Sequence, residues 1–423
     1  MKAWILVRQL IDGTGAPPRD DVAVGLDSDR IVEIRPLKNL APDREDRVYD
    51  HSDAVLVPGM VDSHVHLCFD HAPDHASIRA TVEQSALPSL ALLVARNAQM
   101  CLRAGITTLR DCGDRGLVTL AVRDAILRGW MSGPRILASG TPITTTGGHL
   151  YWCGCEADDK ESVRRSVRSL CKAGVDFVKV MASGGNMTPG SNPLEPQYDL
   201  GELQEAVAQA HRLGRRVAMH AINGEAVRRS VAAGVDTIEH CVWNSQRGDA
   251  YDPETAKEIV ARGIWVGITL TGLDRVLLPS KETTPEQAAH RRQVLSSRYA
   301  NARKLRELGA KIMICTDAGV RFTRFEDFSQ SLVCAVQALG LSPLETVHRA
   351  TQVPADALGL GDEIGSVTVG KRADLVVVEG DPASNIADMS RVRQVWTSGR
   401  PVAQGESINL PPPTALSIPT EFL

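Results

Sequence analysis

Two histidines stand one residue apart, His64 and His66, in the run "VPGMVDSHVHL". The run follows a Pro-Gly turn and is otherwise apolar, as a buried strand would be. Side chains alternate faces along a strand, so both imidazoles point the same way and can share one ligand. Four more polar side chains stand in comparable apolar runs: Lys179 in "VDFVKVMASGG", His220 in "RRVAMHA", His240 in "VDTIEHC" and Asp317 in "AKIMICTDAG". Imidazole and carboxylate together favour Zn²⁺ or a similar borderline divalent ion over Mg²⁺ or Ca²⁺. Taken singly these residues say little, because a lone strand histidine is more often a satisfied core residue and a lone lysine can be paired. Their meaning depends on the elements that carry them.

From residue 59 onward, apolar strand-like runs alternate with helix-period segments. "GITTLRDCG" follows "SLALLVARNAQMCLRA", "PRILASG" follows "GLVTLAVRDAILRGW", and "VDFVKVMASGG" follows "ESVRRSVRSLCKAG". The alternation continues to "IWVGITL" and "AKIMICTDAG", and most helical segments end in Gly, as a helix C-terminus should. Counting "MVDSHVHL", eight strands result, which implies a closed (β/α)₈ barrel. A doubly wound open sheet would carry a Gly-rich phosphate fingerprint after its first strand, where this chain carries histidines. Barrel chemistry sits at the C-terminal ends of the strands. His64 and His66 fall at the first such end, Lys179 at the fourth, His220 at the fifth, His240 at the sixth and Asp317 at the eighth. Four histidines with Asp317 exceed what one catalytic zinc needs while keeping an open position, so the surplus points to two ions.

Residues 1–57 read as short strands of a small β domain and 58–358 as the barrel. Residues 359–423 return to strand texture in "GSVTVGKRADLVVVEGDP" and "VRQVWTSGRPV", then end in an extended Pro-rich tail, "LPPPTALSIPTEFL". Strands at both ends of a chain can pair into one domain beside the barrel. A chain of 423 residues with 43% hydrophobic and 23% charged residues is ordinary globular composition, and a net charge of −4 gives no footprint for nucleic acid. No apolar run approaches the ~20 residues of a membrane helix, and the N-terminus lacks the pattern of a signal peptide. Nine cysteines without framework spacing suit reduced thiols in a cytoplasm, and Cys153 and Cys155 read as two loop thiols. A small-molecule substrate and a homo-oligomeric assembly are expected.

Lys179 has a specific use in such a mouth. Burial and neighbouring cations favour a neutral amine, and a neutral amine can add CO₂ to give a carbamate (N6-carboxylysine). Its two oxygens would bridge two cations as a carboxylate does. The order of "PGMVDSHVHL", "VKVMASGG", "MHA", "IEHC", "TDAG" and "GSVTVGKRADLVVV" resembles the amidohydrolase superfamily over nearly the whole chain. It is most similar to the metal-dependent dipeptidases of the prolidase and Xaa-Arg type, often described as imidazolonepropionase-like. The resemblance implies a distorted (β/α)₈ barrel with a β-sandwich built from both termini. It also implies that His64, His66, carboxylated Lys179 and Asp317 hold one metal, while Lys179, His220 and His240 hold the other.

Two divalent ions ~3.5–4 Å apart can hold a bridging hydroxide and polarise a carbonyl facing it. Asp317, with His240 beside it as the other candidate catalytic residue, can accept the hydroxide's proton and pass it to a leaving nitrogen. That suits hydrolysis of a C–N bond, first in a dipeptide or N-acyl amino acid, alternatively in a xenobiotic or neutral arylamide, carbamate, urea or lactam. Deaminating members of the superfamily resemble one another in using one metal and a Glu three residues after the fifth-strand His, where this chain has Asn223. Phosphotriester hydrolysis uses a similar centre and stays open as a side activity. A non-catalytic scaffold is the remaining alternative, and six intact ligand positions argue against it. For the substrate, "TTTGGHL" places His149 in a loop over the mouth and "EPQYDL" does the same for Tyr198; the resemblance implies contacts to a substrate carboxylate and carbonyl. The aromatic pair Tyr151 and Trp152 departs from that branch. Arg321 and Arg324, after "TDAG", could meet an acidic substrate group but read first as a solvated helix start, and His71 and His75 read as surface loop residues.

Overall fold

A computed structural model of the chain describes residues 2–270 and 285–403, so the Pro-rich end lies outside the described residues. Eight strands form the barrel, labelled here in chain order: β1 Met60–Val65, β2 Ile106–Asp111, β3 Arg135–Ala138, β4 Phe177–Met181, β5 Arg216–His220, β6 Thr237–Glu239, β7 Trp265–Thr269 and β8 Lys311–Cys315. They pair in parallel as two arcs, β1–β2–β3 and β4 through β8. The arcs close where Val65 bridges Ala318, with the Asp317 amide donating to the His64 carbonyl at 2.8 Å and the His66 amide to that of Ala318 at 2.8 Å. Between β3 and β4 there is no ladder. The Asp176 amide donates to the Ala138 carbonyl at 2.9 Å, and the Asp176 carboxylate accepts the Ala138 amide at 2.8 Å. The barrel is therefore distorted at this seam. The loop after β3 adds two further short strands, Ile143–Thr144 and Cys155–Glu156, the first of which pairs with β4.

The helix Lys160–Ala173 shows how the sequence builds one such unit. Asp159 accepts from the Ser162 amide, and the Ser162 hydroxyl answers on the Asp159 amide, which satisfies orphan donors at the helix start. Val163, Val167 and Leu170 recur on one face and are buried. Gly174, at φ 89°, closes the helix in a left-handed conformation that a side chain would oppose. The chain then enters β4, whose five residues "FVKVM" are all buried, as expected of a strand covered on both faces.

Strands from both termini unite in one continuous seven-stranded sheet beside the barrel. Arg47–Pro58 lies at its centre, parallel to Ala3–Leu10 and antiparallel to Leu375–Val378. Ile5, Val7, Leu56, Leu375, Val377 and Trp396 make its own core, apart from that of the barrel. One residue, Gly59, separates this sheet from β1. A Cβ there would fall 2.1 Å from the Thr107 hydroxyl, so only glycine fits the crossing. Among the described residues no helix is long and apolar enough to cross a membrane.

Candidate metal centre

His64, at the end of β1, sets the geometry of the barrel mouth. Its Nδ1 donates to Glu239 at 2.8 Å, and the other oxygen of that carboxylate accepts from Arg110 Nη2 at 2.5 Å. Arg110 is fixed in turn by the Ser63 carbonyl (2.6 Å) and the Thr237 hydroxyl (3.1 Å). Because a carboxylate only accepts, the His64 proton must sit on Nδ1, which leaves Nε2 with a lone pair toward the cavity. His66 Nδ1 donates to the Gly113 carbonyl at 3.2 Å, and His220 Nε2 to that of Gly184 at 3.2 Å. His240 Nδ1 contacts the Thr269 hydroxyl at 2.9 Å. Each imidazole is thus held on one nitrogen by the surrounding protein and offers the other inward, as ligating histidines do.

The inward atoms converge. Asp317 Oδ1 lies 3.4 Å from His64 Nε2 and 3.6 Å from His66 Nε2. The ring centroids of His64 and His240, and of His220 and His240, are each 4.8 Å apart. Lys179, only 1% exposed, projects from β4 into this group, and its Nζ has no hydrogen-bond partner. Asp317 Oδ1 has none either. An orphaned buried amine and carboxylate oxygen facing four imidazoles is a donor set that fits divalent cations. Burial, reinforced by the charge of Lys179, pushes His66 down to about 3, and burial with the neighbouring positive groups holds His64, His220 and His240 well below the usual histidine range. Neutral imidazole is the ligating form. Burial pushes Asp317 up to about 6, against the pull of Lys179. A second cluster, His64, Glu239 and Cys315, also comes close together. There Glu239 is already spent on Arg110 and His64, and burial raises the Cys315 thiol well above its usual range, so this trio supports the centre rather than forming another.

His240 and Asp317 share an unusual backbone, both at φ 66°. The turn that throws each side chain inward is the left-handed conformation, which costs a non-glycine residue about 1–2 kcal/mol. Strain of this kind collects where geometry serves a site.

In front of the cluster lies a cavity of about 870 Å³. All six ligand-type residues line it, and so does His149, whose ring centroid is 4.7 Å from that of His220. Gly185 makes room for that ring, since a Cβ there would fall 2.4 Å from the imidazole. Tyr198 does not reach the cavity lining. It is buried, and its hydroxyl donates to the Ala157 carbonyl at 2.7 Å, so the substrate contact expected of it is not available in this arrangement. Trp152 is core as well, packed against Phe69 (5.2 Å), which stacks on His66 (4.6 Å). Two residues expected at the surface line the cavity instead, His75 and Arg321, while Arg324 is paired with Glu326. His71 is half-buried, 6.1 Å from the Phe325 ring. Asn223 caps the next helix, accepting from the Ala226 amide at 2.8 Å. Cys153 is buried and Cys155 contacts the Ser166 hydroxyl, and neither is in a disulfide.

Sequence reasoning missed Glu239, Arg110, Thr269 and Arg298. Glu239 had a signal, a carboxylate inside the apolar run "VDTIEHC"; Thr269 and Arg298 had none, because only the fold places them beside His240.

Known proteins extend this picture. The profile of the amidohydrolase family matches residues 55–402. The ochratoxinase of Aspergillus niger is 27% identical, over 92% of this chain and 84% of its own length. A Xaa-Pro dipeptidase with methionine bound in its active site superimposes with a TM-score of 0.83 and 28% identity, over 96% of this chain and 100% of that one. Phenylurea hydrolase B does so with a TM-score of 0.80 and 25% identity, over 95% and 97% of the two chains. With most of its length matched and its histidines, lysine and aspartate gathered at one barrel mouth, the chain belongs to the amidohydrolase family and is a hydrolase of amide-type bonds.

Proposed function

We propose that the protein is a binuclear zinc hydrolase that cleaves the C–N bond of a dipeptide or N-acyl amino acid. The observation that carries this reading is the sealed, unpartnered Lys179 amine among four imidazoles and Asp317. An amine so placed could add CO₂ to give a carbamate, which would offer two oxygens to the cations. His64, His66 and Asp317 would hold one ion and His220 and His240 the other, with carboxylated Lys179 shared. When bound, the ions supply the Lewis acidity that polarises the scissile carbonyl and acidifies water. Asp317, raised by burial toward neutrality, takes the proton of the attacking water and returns it to the leaving nitrogen. His149, beside His220, contacts the substrate. The methionine in the similar Xaa-Pro dipeptidase supports an amino acid product.

A neutral arylamide, urea, carbamate or lactam is the second reading. It is supported by the likeness to phenylurea hydrolase B and by Met187, Leu194, Ile222 and Val242 in the cavity wall. Unpaired cysteines support a reducing, cytoplasmic setting, and the exposed Leu92, Leu127 and Trp130 support self-association.

Elemental analysis of protein purified with zinc should give about two ions per chain. Lys179→Ala should lose metal and activity together, with partial rescue by short carboxylic acids; wild-type turnover in that variant would sink the carbamate. Asp317→Asn should lower kcat by roughly 10²–10⁴-fold, far more than it lowers metal content.

A further inference from the structure

The hydrolase reading gives no task to Arg298, a charged side chain of the cavity wall. Arg298, from the helix Pro285–Glu307, lines the cavity and is half-buried there. Its Nη2 donates to the Thr269 carbonyl (3.0 Å) and hydroxyl (2.7 Å), while its Nε is sealed from solvent and has no acceptor. Among the described residues no carboxylate stands within ion-pair distance of it. Arg110 and Arg123, by contrast, each hold a carboxylate, that of Glu239 and that of Asp176. Two acids share the cavity with Arg298: Asp317 faces the imidazoles, and Asp249 accepts from Asn301 at 2.7 Å. Burial lowers Arg298 from its ordinary pKa, but a guanidinium stays charged. A desolvated cation with an idle N–H beside the reacting centre is an incomplete ion pair.

We propose that Arg298 completes that pair with the substrate, receiving the carboxylate of the amino acid leaving group and setting a preference for acids over neutral amides. The position suits this. The Thr269 hydroxyl touches both Arg298 and His240 Nδ1, so the guanidinium is one hydroxyl away from a ligand imidazole. In an N-acyl amino acid, only the nitrogen and the α-carbon separate the scissile carbonyl carbon from the carboxylate carbon. A carbonyl at the imidazole cluster therefore brings its carboxylate to this wall. His149, beside His220, is left to the acyl side. The assignment rests on the hydrolase reading for its substrate, though the binding it asserts can be measured separately.

The test compares N-acyl amino acids with their matched amides on zinc-loaded wild type, Arg298→Gln and Arg298→Lys. Arg298→Gln should lose about 10–100-fold in kcat/KM on the acids, chiefly through KM, and at least tenfold less on the amides, with metal content retained. Arg298→Lys should recover part of the loss. Calorimetric titration with the free amino acid and its amide should show the same selectivity, lost in Arg298→Gln. Equal losses on both substrates would overturn the proposal and make Arg298 a positioning residue for His240 through Thr269. So would a wild type that binds and cleaves the amide as well as the acid. Absence of turnover in the wild type would sink the hydrolase reading alone, since the titration still decides the role of Arg298.

Discussion

Where each imidazole keeps its proton decides whether the barrel mouth can hold a cation, and at His64 that is decided by Glu239. Glu239 is fully buried between Arg110 and His64. Glu239→Gln removes the charge facing Arg110 and sets an amide N–H against one of two donors. Removing one partner of a buried ion pair costs about 3–5 kcal/mol, and loss of the group that orients a ligating histidine weakens metal binding by roughly 10–100-fold. Both effects should appear, the first in denaturant titration and the second in competition with a chelator. Unaltered metal affinity would mean that His64 finds its tautomer without Glu239. The sequence brought out the candidate ligands because a histidine or lysine stands out in an apolar strand. It did not reveal Arg298 or the burial of Tyr198, which depend on how a helix and a loop lie across the mouth.

Among the elements, the seam between β1 and β8 carries the greatest consequence, because His64, His66 and Asp317 sit on its two sides. Asp62 fastens it. Its carboxylate accepts from the Thr316 hydroxyl at 2.5 Å and amide at 3.2 Å and from the His64 amide at 3.3 Å. Asp62→Ala leaves buried donors without acceptors, at a cost of at least about 2 kcal/mol. Urea denaturation should register that loss, and metal affinity should fall with it; an unchanged midpoint would show that the ladder alone closes the barrel. The eight strands and most intervening helices were readable because apolar runs, amphipathic periods and terminal glycines agreed with one another, as at Val163, Val167, Leu170 and Gly174. The strands Ile143–Thr144 and Cys155–Glu156 were not. Two residues carry no period, and they exist through pairing with distant partners.

Taken whole, the molecule joins two cores through the single-residue crossing at Gly59, and ligand-type residues come from five of the eight barrel strands or their ends. Metal occupancy should therefore act as a clamp on the barrel. Ions held at a thousand times their dissociation constant add about 4 kcal/mol to the folded state. Chelation should lower the Tm by several degrees, and readdition of zinc should restore it. A Tm indifferent to chelator would show that the strands are already locked without ions. That both ends of the chain would meet in one domain was visible in their shared strand texture. That their strands would run continuously, with Arg47–Pro58 at the centre, was not, because register across 300 residues leaves no local mark.

The left-handed backbone at His240 and Asp317 makes the metal-free protein a poor subject for selection on heat tolerance. At such positions glycine relaxes what a Cβ strains, so in metal-free protein His240→Gly should outlast His240→Ala by roughly 1 kcal/mol. Thermal melts of the two variants check this, and identical midpoints would refute it. A library screened for survival in the presence of chelator would then drift toward glycine where the histidine stands and discard a candidate metal ligand as it gained robustness. Asparagine tolerates the same conformation, so Asp317→Asn leaves the turn intact and reports on the carboxylate rather than on backbone strain.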